Sequence, residues 1–401
     1  MKKQLLKQKK IACNNIEQAL KAKKEVLELL GMGTFGVVFL GCLNDLCDEK
    51  IGVKLLTMKK KYNIDKSHPA LVEILIGKEL SKLVSKSITP HVNYTYKGLS
   101  CNIEQLKDLK TIQKSEWYNQ RIFDVESNNY YSDFITNYYK DIMVIFIEIA
   151  DMDFKEYVTN IYENGGALTF EEQLSTFFCF CYTMCCAVFY NPNYRHNDIK
   201  PNNLLITMNK NYNPNNYIHY KIFGKSFYIP QTKYLIKLHD FDYSNCNEIP
   251  NQKITNFRGL FKEINATPFT NPVYDLHEYL NFYIRDFGEY IEGTEIDTYF
   301  KSLFSQDTFG EENIYTRRYK LTNYKVNGQK TTLSDEKRYN YIPKDMKTPS
   351  ELILTDIVFN RFKTLPSNGI VVETYDSKIP SIQVDDELLY RSDMFNVLLK
   401  K

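Results

Sequence analysis

A short loop at residues 196–203 holds side chains whose chemistry suits phosphoryl transfer. It reads His-Asn-Asp-Ile-Lys-Pro-Asn-Asn, with a carboxylate at Asp198, an amine at Lys200 and an amide at Asn203. A positioned carboxylate can accept the proton of an attacking hydroxyl, and an amide oxygen can hold a metal ion. Because this spacing also arises by chance, the interpretation depends on whether other parts of such a site occur in order along the chain.

A glycine-rich segment upstream is the second part. Gly31, Gly33 and Gly36 form the pattern G-x-G-x-x-G between two apolar runs, and glycine lets backbone N–H groups approach phosphate oxygens closely. A dinucleotide-binding fold would require a helix after the last glycine, whereas residues 37–40 continue as a strand. The predicted nucleotide-binding residues of this segment are Leu30, Gly31, Met32, Gly33, Thr34, Phe35, Gly36, Val37 and Val38.

A lysine on the following strand is the third part. Residues 51–54 read Ile-Gly-Val-Lys, and Lys54 is predicted to neutralise phosphate charge while a carboxylate on the next helix holds it. Residues 69–84 show helical apolar spacing and contain Glu73 and Glu79. The interval from Lys54 to Glu73 suits a strand-to-helix turn, so Glu73 is the predicted partner and Glu79 is the alternative.

An acidic motif after the loop supplies the fourth part. The apolar run at residues 235–238 is followed by His239 and then by Asp240-Phe241-Asp242. Mg²⁺ prefers hard oxygen ligands, so Asn203 and Asp240 are the predicted ligands of Mg²⁺, with Mn²⁺ as the alternative ion.

These motifs, at residues 31–38, 54, 73, 196–203 and 240–242, together resemble the eukaryotic-type protein kinase superfamily. The resemblance implies an α+β, bilobal protein-kinase-like fold with a small β-rich N-lobe and a larger helical C-lobe. It also implies that ATP binds with its metal ion in a cleft lined by these motifs. The segments at residues 89–91, 227–230 and 271–277 are similar to the divergent Ser/Thr protein kinases of large DNA viruses.

Residue roles follow from the resemblance. The implied catalytic residues are Lys54, Glu73, Asp198 and Lys200, where Lys200 resembles the lysine of Ser/Thr kinases that contacts the transferred phosphate. The backbone carbonyl of Glu148 and the backbone N–H of Ala150 would bind adenine. Asp275 resembles a buried helical aspartate that braces the catalytic loop.

Some positions depart from the family pattern. Asn197 replaces an arginine that pairs with a phosphorylated loop in many kinases, so control by activation-loop phosphorylation is not expected. Asp242 replaces a glycine, which favours one fixed conformation of the motif. The family's Ala-Pro-Glu sequence is missing, and its nearest counterpart, Ala266-Thr267-Pro268, lacks the acid.

The predicted domain organisation follows the motifs. A polar extension at residues 1–24 precedes an N-lobe at 25–148 with an insertion at about 101–141, and a C-lobe occupies 149–365 with a hairpin insertion at about 209–233 that turns at Gly224-Lys225. A tail covers 366–401. Helices are predicted for residues 170–190, 274–285, 295–304 and 349–362.

Composition limits the remaining function classes. A net charge of +2 over 401 residues gives no electrostatic reason to expect a nucleic-acid partner. The nine cysteines predict a reducing, cytoplasmic compartment without disulfides, which for a viral protein would be the host cytoplasm or the virion. The uncharged run at residues 174–190 is too short for a membrane span and is interpreted as a core helix.

The sequence therefore favours an ATP-dependent protein serine/threonine kinase acting on protein substrates. One alternative is a small-molecule kinase of the choline or aminoglycoside type, which shares the loop and often has an acid after Asp-Phe. The other is a catalytically silent kinase fold that acts as a scaffold.

Overall fold

The computed structural model describes residues 29–33, 36–42, 50–106, 112, 115–124, 127–255, 273–304, 323–326, 329–332 and 346–381. The predicted extension at 1–24 and the Ala266-Thr267-Pro268 sequence lie outside these residues. The mixture of helix and strand confirms the predicted α+β class. The chain divides into two compact units: residues 1–81 with 93–149, and residues 82–92 with 150–401.

The first unit is built on a five-stranded antiparallel sheet with the order β1-β2-β3-β7-β4. The long strands β3 and β7 pair over most of their length at its centre. The sheet strands are β1 (Leu29–Met32), β2 (Gly36–Cys42), β3 (Lys50–Lys59), β4 (Thr95–Asn102) and β7 (Tyr138–Ile147). The other elements begun in this unit are α1 (Pro69–Ser85), α2 (Ile103–Leu106), α3 (Glu116–Arg121), β5 (Phe123–Asp124), β6 (Asn129–Tyr130) and α4 (Ser132–Asn137).

Both faces of this sheet are covered at its central strand β3, where residues 51–56 are all buried. One face packs against α1, where Leu56 and Met58 meet Ala70 and Ile74. The other face packs against the segment predicted as an insertion, whose buried members include Trp117. Successive strand residues point to opposite faces, so Lys54 lies on the same face as Leu56, toward α1.

The second unit centres on a long apolar helix and small sheets. Its strands are β8 (Met152–Asp153), β9 (Leu204–Met208), β10 (Asn216–Ile222), β11 (Lys225–Pro230), β12 (Tyr234–Leu238), β13 (Asn323–Val326), β14 (Gln329–Thr332) and β15 (Ile370–Asp376). Its helices are α5 (Phe154–Glu163), α6 (Phe170–Tyr190), α7 (Gln252–Thr255), α8 (Tyr274–Ile291), α9 (Glu295–Ser302) and α10 (Pro349–Thr355), with 3₁₀ turns at Pro201–Asn203 and Ile357–Phe362.

The predicted hairpin forms, with its turn shifted by one residue. Strands β10 and β11 are antiparallel, and Ile222 pairs with Lys225, so the turn residues are Phe223 and Gly224. Both have positive φ, 53° and 70°, as a two-residue type I′ turn requires. Strand β15 pairs in parallel with β10 and thereby joins part of the C-terminal region to this sheet.

Helix α6 is the apolar run that the sequence assigned to the core. Among the described helices, α6 is long and apolar enough to cross a membrane. However, 83% of its most apolar 18-residue stretch is buried inside the protein. A capping box at Thr169 and Glu172 fixes its start. Burial of this extent is typical of a core helix.

The cysteines include one correction. Cys101 on β4 is disulfide-bonded, whereas no disulfide was expected. The expectation came from the number of cysteines and the compartment, but a disulfide depends on whether two sulfur atoms lie within bonding distance. Cys179, Cys181, Cys185 and Cys186 on α6 are free and buried.

Candidate active site

The glycine-rich segment forms the hairpin of β1 and β2 in the first unit. Gly31 pairs with Val38 and Met32 with Val37, and the N–H of Gly33 donates to the carbonyl of Gly36 at 2.9 Å. The segment is therefore a strand-loop-strand unit, as predicted. Thr34 and Phe35, at the tip, lie outside the described residues.

The three glycines differ in how much space a Cβ atom would have at each position. A Cβ on Gly36 would lie 2.3 Å from the carbonyl oxygen of Leu55, so glycine is needed there for close approach to β3. Among the described residues, a Cβ on Gly31 would meet nothing within 4 Å, and one on Gly33 would meet its nearest atom at 3.9 Å. Packing thus explains Gly36, while Gly31 and Gly33 have space beside their Cα atoms.

An arginine that the sequence analysis missed holds this hairpin. Nη1 of Arg121, the last residue of α3, donates to the carbonyl of Gly33 at 2.9 Å. Arg121 lies in the insertion, far from Gly33 in sequence, so no local pattern could have identified it. The insertion therefore both covers the sheet and restrains the glycine turn.

Lys54 and Glu73 form a buried ion pair in the first unit. Nζ of Lys54 lies 2.6 Å from Oε1 of Glu73, and the two side chains are 11% and 5% exposed. Glu79 lies six residues further along α1, which rotates it by about 240° around the helix axis. The structure thus answers the choice that the sequence left open between these glutamates.

The two residues whose backbone is predicted to bind adenine are divided between the units, with Glu148 in the first and Ala150 in the second. The N–H of Glu148 donates to the carbonyl of Tyr94 at 2.7 Å, which fixes the end of β7. The N–H of Ala150 has no hydrogen-bond acceptor within the described part of the chain. A backbone donor of this kind is suited to a ring nitrogen of a ligand.

In the second unit, Asp198 receives hydrogen bonds from both other functional side chains of its loop. Lys200 Nζ lies 2.7 Å from Asp198 Oδ2. Asn203 Nδ2 donates to the same oxygen at 2.9 Å and to the carbonyl of Asp198 at 2.8 Å. The side chain of Asp198 is only 5% exposed. The loop thus presents one oriented carboxylate.

Two carboxylates of α8 hold the backbone of this loop. Asp275 accepts from the N–H groups of His196 and Asn197 at 2.8 and 2.9 Å. Glu278 accepts from the N–H of Ile199 at 2.9 Å. These bonds satisfy buried donors that no secondary structure serves, so the loop geometry depends on α8.

A buried arginine adjoins the same carboxylates. The guanidinium of Arg195 lies 3.9 Å from the ring centre of Tyr274, and the residue is 2% exposed. Burial lowers the pKa of Arg195 from its ordinary value, while the neighbouring Tyr274, Asp275 and Glu278 act in the opposite direction. The positive charge thus partly offsets the negative charge gathered under the loop.

Asn203 and Asp240 adjoin through the pairing of their strands. Leu204 pairs with Leu238, and the N–H of His239 donates to the carbonyl of Asn203 at 3.0 Å. Asp240 has a positive φ of 64°, a conformation that Asp tolerates better than most residues. Asn203 directly precedes β9 and Asp240 follows β12, so the two predicted metal ligands lie at neighbouring ends of paired strands.

The residues around Asp242 form a set that the sequence did not reveal. Lys253 Nζ lies 2.6 Å from Asp242 Oδ2 and 3.1 Å from the ring centre of Tyr243. Asn251 Nδ2 donates to the carbonyls of Asp242 and Ser244. These contacts fix the backbone that follows Asp240.

Asn197 connects the two segments. Its Nδ2 donates to the carbonyl of Tyr243 at 3.0 Å and to Oδ1 of Asn245 at 2.7 Å. Its φ is 63°, in the left-handed region where Asn is enriched among non-glycine residues. A neutral amide thus joins the loop to the residues beyond the Asp-Phe-Asp motif.

Comparison with known proteins agrees with this geometry. No protein-family model matches the chain. "Putative serine/threonine-protein kinase R400" of Acanthamoeba polyphaga mimivirus is 25% identical over 310 residues, which cover 74% of this chain and 60% of that protein. "Putative serine/threonine-protein kinase R301" of the same virus is 24% identical over 294 residues, which cover 69% and 70%.

These matches support the predicted resemblance to viral kinases. The chain is similar to two mimivirus proteins that are named as putative serine/threonine kinases, and its mixture of helix and strand is consistent with a kinase-like α+β fold. The aligned region spans about three fifths of the first relative.

Proposed function

We propose that this chain is an ATP- and Mg²⁺-dependent protein serine/threonine kinase that transfers the γ-phosphoryl group of ATP to protein hydroxyls. The observation that carries the proposal is the convergence of Lys200 and Asn203 on Asp198, in a loop whose backbone is held by Asp275 and Glu278. A single buried carboxylate held in this way is suited to orient a hydroxyl and accept its proton. The names of the two viral relatives support the same class of reaction.

Each remaining residue has a role in this proposal. Lys54, held by Glu73, would bind phosphate oxygens, and the glycine turn, which has space beside Gly31 and Gly33, would lie over the phosphates. Lys200 would offset the charge on the moving phosphoryl group. The carbonyl of Glu148 and the N–H of Ala150 would bind adenine.

The donor set fits a hard cation. Both contacts of the Asn203 side chain to Asp198 are made by Nδ2, because the atoms it meets are acceptors. Both of these hydrogen bonds leave Oδ1 of Asn203 unused. With the carboxylate of Asp240 it offers oxygen ligands of the type that Mg²⁺ prefers. When bound, Mg²⁺ would neutralise negative charge on the triphosphate.

We further propose that activity does not depend on phosphorylation of the activation loop. Kinases that depend on it use a cationic side chain beside the catalytic aspartate to bind the phosphate. Here that position is Asn197, whose amide is already bonded to Tyr243 and Asn245. The Lys253–Asp242 ion pair restrains the same region without a phosphate.

The test is phosphate transfer from radiolabelled ATP to casein by the purified protein, with each variant purified in the same way. Wild type is expected to label casein, and Asp198→Asn is expected to lose at least about 1,000-fold in rate, because it removes the proton acceptor while keeping the shape. Glu289→Gln, an exposed change on α8, is the matched control. Equal rates for wild type and Asp198→Asn would refute the assignment of Asp198.

The same experiment separates the alternatives. Labelling of choline or an aminoglycoside in place of casein would favour a small-molecule kinase. Stabilisation by ATP against thermal unfolding, without transfer to any acceptor, would favour a scaffold. Pretreatment with a phosphatase is expected to leave the rate unchanged if loop phosphorylation plays no part.

A further inference from the structure

A cavity lies within the second unit, formed by different residues from those of the candidate active site. Its volume is about 230 Å³. Helix α6, strands β9 and β12 and the β10–β11 hairpin form its walls. An engineered apolar cavity of about 150 Å³ binds benzene, so this one has room for a small ring with a substituent.

The sequence of α6 explains why the space exists. Ser175, Thr176 and Cys179, at spacings that share one face of a helix, line the cavity. The neighbouring positions Phe177 and Phe178 are fully buried on other faces. Small residues on one face therefore leave a gap opposite the isoleucine and tyrosine side chains of the strands.

Two hydroxyl groups in the wall have no hydrogen-bond partner in the part of the chain that the structure describes. Oγ of Ser175 and Oγ1 of Thr207 are buried atoms without a partner among the described residues, and Ser175 as a whole is 1% exposed. By contrast, Thr176 donates to the carbonyl of Glu172 and contacts the hydroxyl of Tyr234 at 2.7 Å. Leaving a buried hydroxyl without a hydrogen bond is unfavourable, so these two groups point to a ligand that binds them.

The rest of the lining limits the charge of that group. Among the described residues no lysine or arginine lines the cavity, and Glu373 belongs to its exposed part. His91 uses both ring nitrogens, which contact the carbonyl of Ile236 at 2.8 Å and the hydroxyl of Tyr220 at 2.7 Å. An anion such as a phosphate would therefore be buried without a countercharge, which is strongly unfavourable.

We propose that this cavity is a binding site for a small neutral molecule made of one ring and a hydroxyl group. The ring would contact the apolar side chains of Ile229, Ile236 and Tyr234, and its hydroxyl would bond to Ser175 and Thr207. The cavity walls are the elements that flank the catalytic loop and lead to Asp240, so a bound ligand stabilises that part of the unit.

Phenol is the probe, benzene is the probe without a hydroxyl, and benzoate is the charged probe. Binding is measured on the full chain by chemical-shift changes in isotope-labelled protein. Phenol is expected to shift resonances of the lining residues and to bind more tightly than benzene, and benzoate is expected to shift none of them. Absence of any shift with phenol and benzene would overturn the proposal and assign the cavity to water.

Matched variants test the hydroxyl groups. Ser175→Ala and Thr207→Val are each expected to weaken phenol binding about 3–10-fold, the equivalent of one hydrogen bond, and to leave benzene binding unchanged. Without ligand, their unfolding free energy is expected to equal or exceed that of wild type, because an unbonded buried hydroxyl is removed. Thr374→Val, on an exposed part of β15, is the control. Unchanged phenol affinity in the double variant Ser175→Ala/Thr207→Val would refute the site.

Discussion

The two hydrogen bonds from the catalytic-loop backbone to Asp275 permit a quantitative prediction. Asp275 is 5% exposed, and its two carboxylate oxygens accept from His196 and Asn197 at 2.8 and 2.9 Å. In Asp275→Asn one acceptor oxygen remains and an NH₂ group, a donor, faces the other N–H. The variant therefore keeps the shape of the side chain and loses one bond completely.

The expected size follows from the bonds. A hydrogen bond to a charged group contributes about 1.5–3 kcal/mol, and a buried N–H left without an acceptor costs about 1–3 kcal/mol. The remaining bond becomes neutral and weaker. We therefore expect the unfolding free energy to fall by about 2–4 kcal/mol, a large share of the 5–15 kcal/mol typical of folded proteins.

Urea unfolding followed by circular dichroism measures this difference. Glu289→Gln makes the same acid-to-amide change at an exposed position of the same helix and is expected to stay within about 0.5 kcal/mol of wild type. The rate of phosphate transfer is compared at low temperature, where Asp275→Asn is folded. The rate of the variant is expected to be lower than that of wild type by more than its small unfolded fraction explains. Equal unfolding free energies for Asp275→Asn and Glu289→Gln would show that the loop does not depend on these bonds.

The other predictions concern single contacts. Glu73→Gln removes the carboxylate that pairs with the buried Lys54, so it is expected to lower the unfolding free energy by about 3 kcal/mol and to raise the KM for ATP. Glu79→Gln is the control and should change neither quantity. Similar KM values for the two variants would contradict the Lys54–Glu73 pairing. Gly36→Ala should destabilise the protein by about 1–3 kcal/mol because its Cβ would meet Leu55 and Leu56. Gly33→Ala should leave the unfolding free energy within about 0.5 kcal/mol of wild type and weaken ATP binding in calorimetry. A larger loss of stability in Gly33→Ala than in Gly36→Ala would refute the packing argument. Lys253→Met should destabilise the protein by about 3 kcal/mol in urea unfolding, because Asp242 loses its ion-pair partner. Adding Asp242→Asn should recover part of this loss, since it removes the uncompensated charge of Asp242. A double variant less stable than Lys253→Met alone would exclude a stabilising ion pair. Burial lowers the pKa of His91 from 6.5 to about 4, so between these pH values the unfolded chain binds more protons than the folded one. The unfolding free energy should therefore fall by up to ~3 kcal/mol as the pH decreases from 6.5 to 4. His91→Asn should show a shallower fall, and identical pH profiles of the two proteins would rule out His91 as the cause.

The sequence predicted which residues lie together in the candidate site better than it predicted the contacts that support them. Short motifs with fixed spacing placed Asp198, Lys200 and Asn203 in one loop, and helical periodicity placed Glu73 on α1, because these relations are local. The predicted helix at residues 170–190 has the same limits in the structure. By contrast, the predicted helix at 349–362 ends at Thr355, where Asp356 caps a separate 3₁₀ turn.

The supporting contacts join residues that are distant in sequence, so periodicity could not reveal them. Arg121 reaches Gly33 across 88 positions. Asp275 reaches His196 across 79 positions, and the family resemblance rather than periodicity had indicated that contact. The hairpin turn was displaced by one residue because Phe223 adopts a positive φ, which composition does not predict. The Cys101 disulfide was missed for a similar reason, since it depends on proximity in space.

The insertion at residues 101–141 shows how such supports arise. A strand with one face exposed should alternate between apolar and polar residues, yet β3 is buried along nearly its whole length. That pattern requires a second layer over the sheet, and Trp117, Phe134 and their neighbours provide it. The same segment carries Arg121, which binds the glycine turn. Deleting the insertion would therefore expose one face of the sheet and release the turn together, so in this chain the segment acts as part of the fold of the first unit rather than as an addition to it.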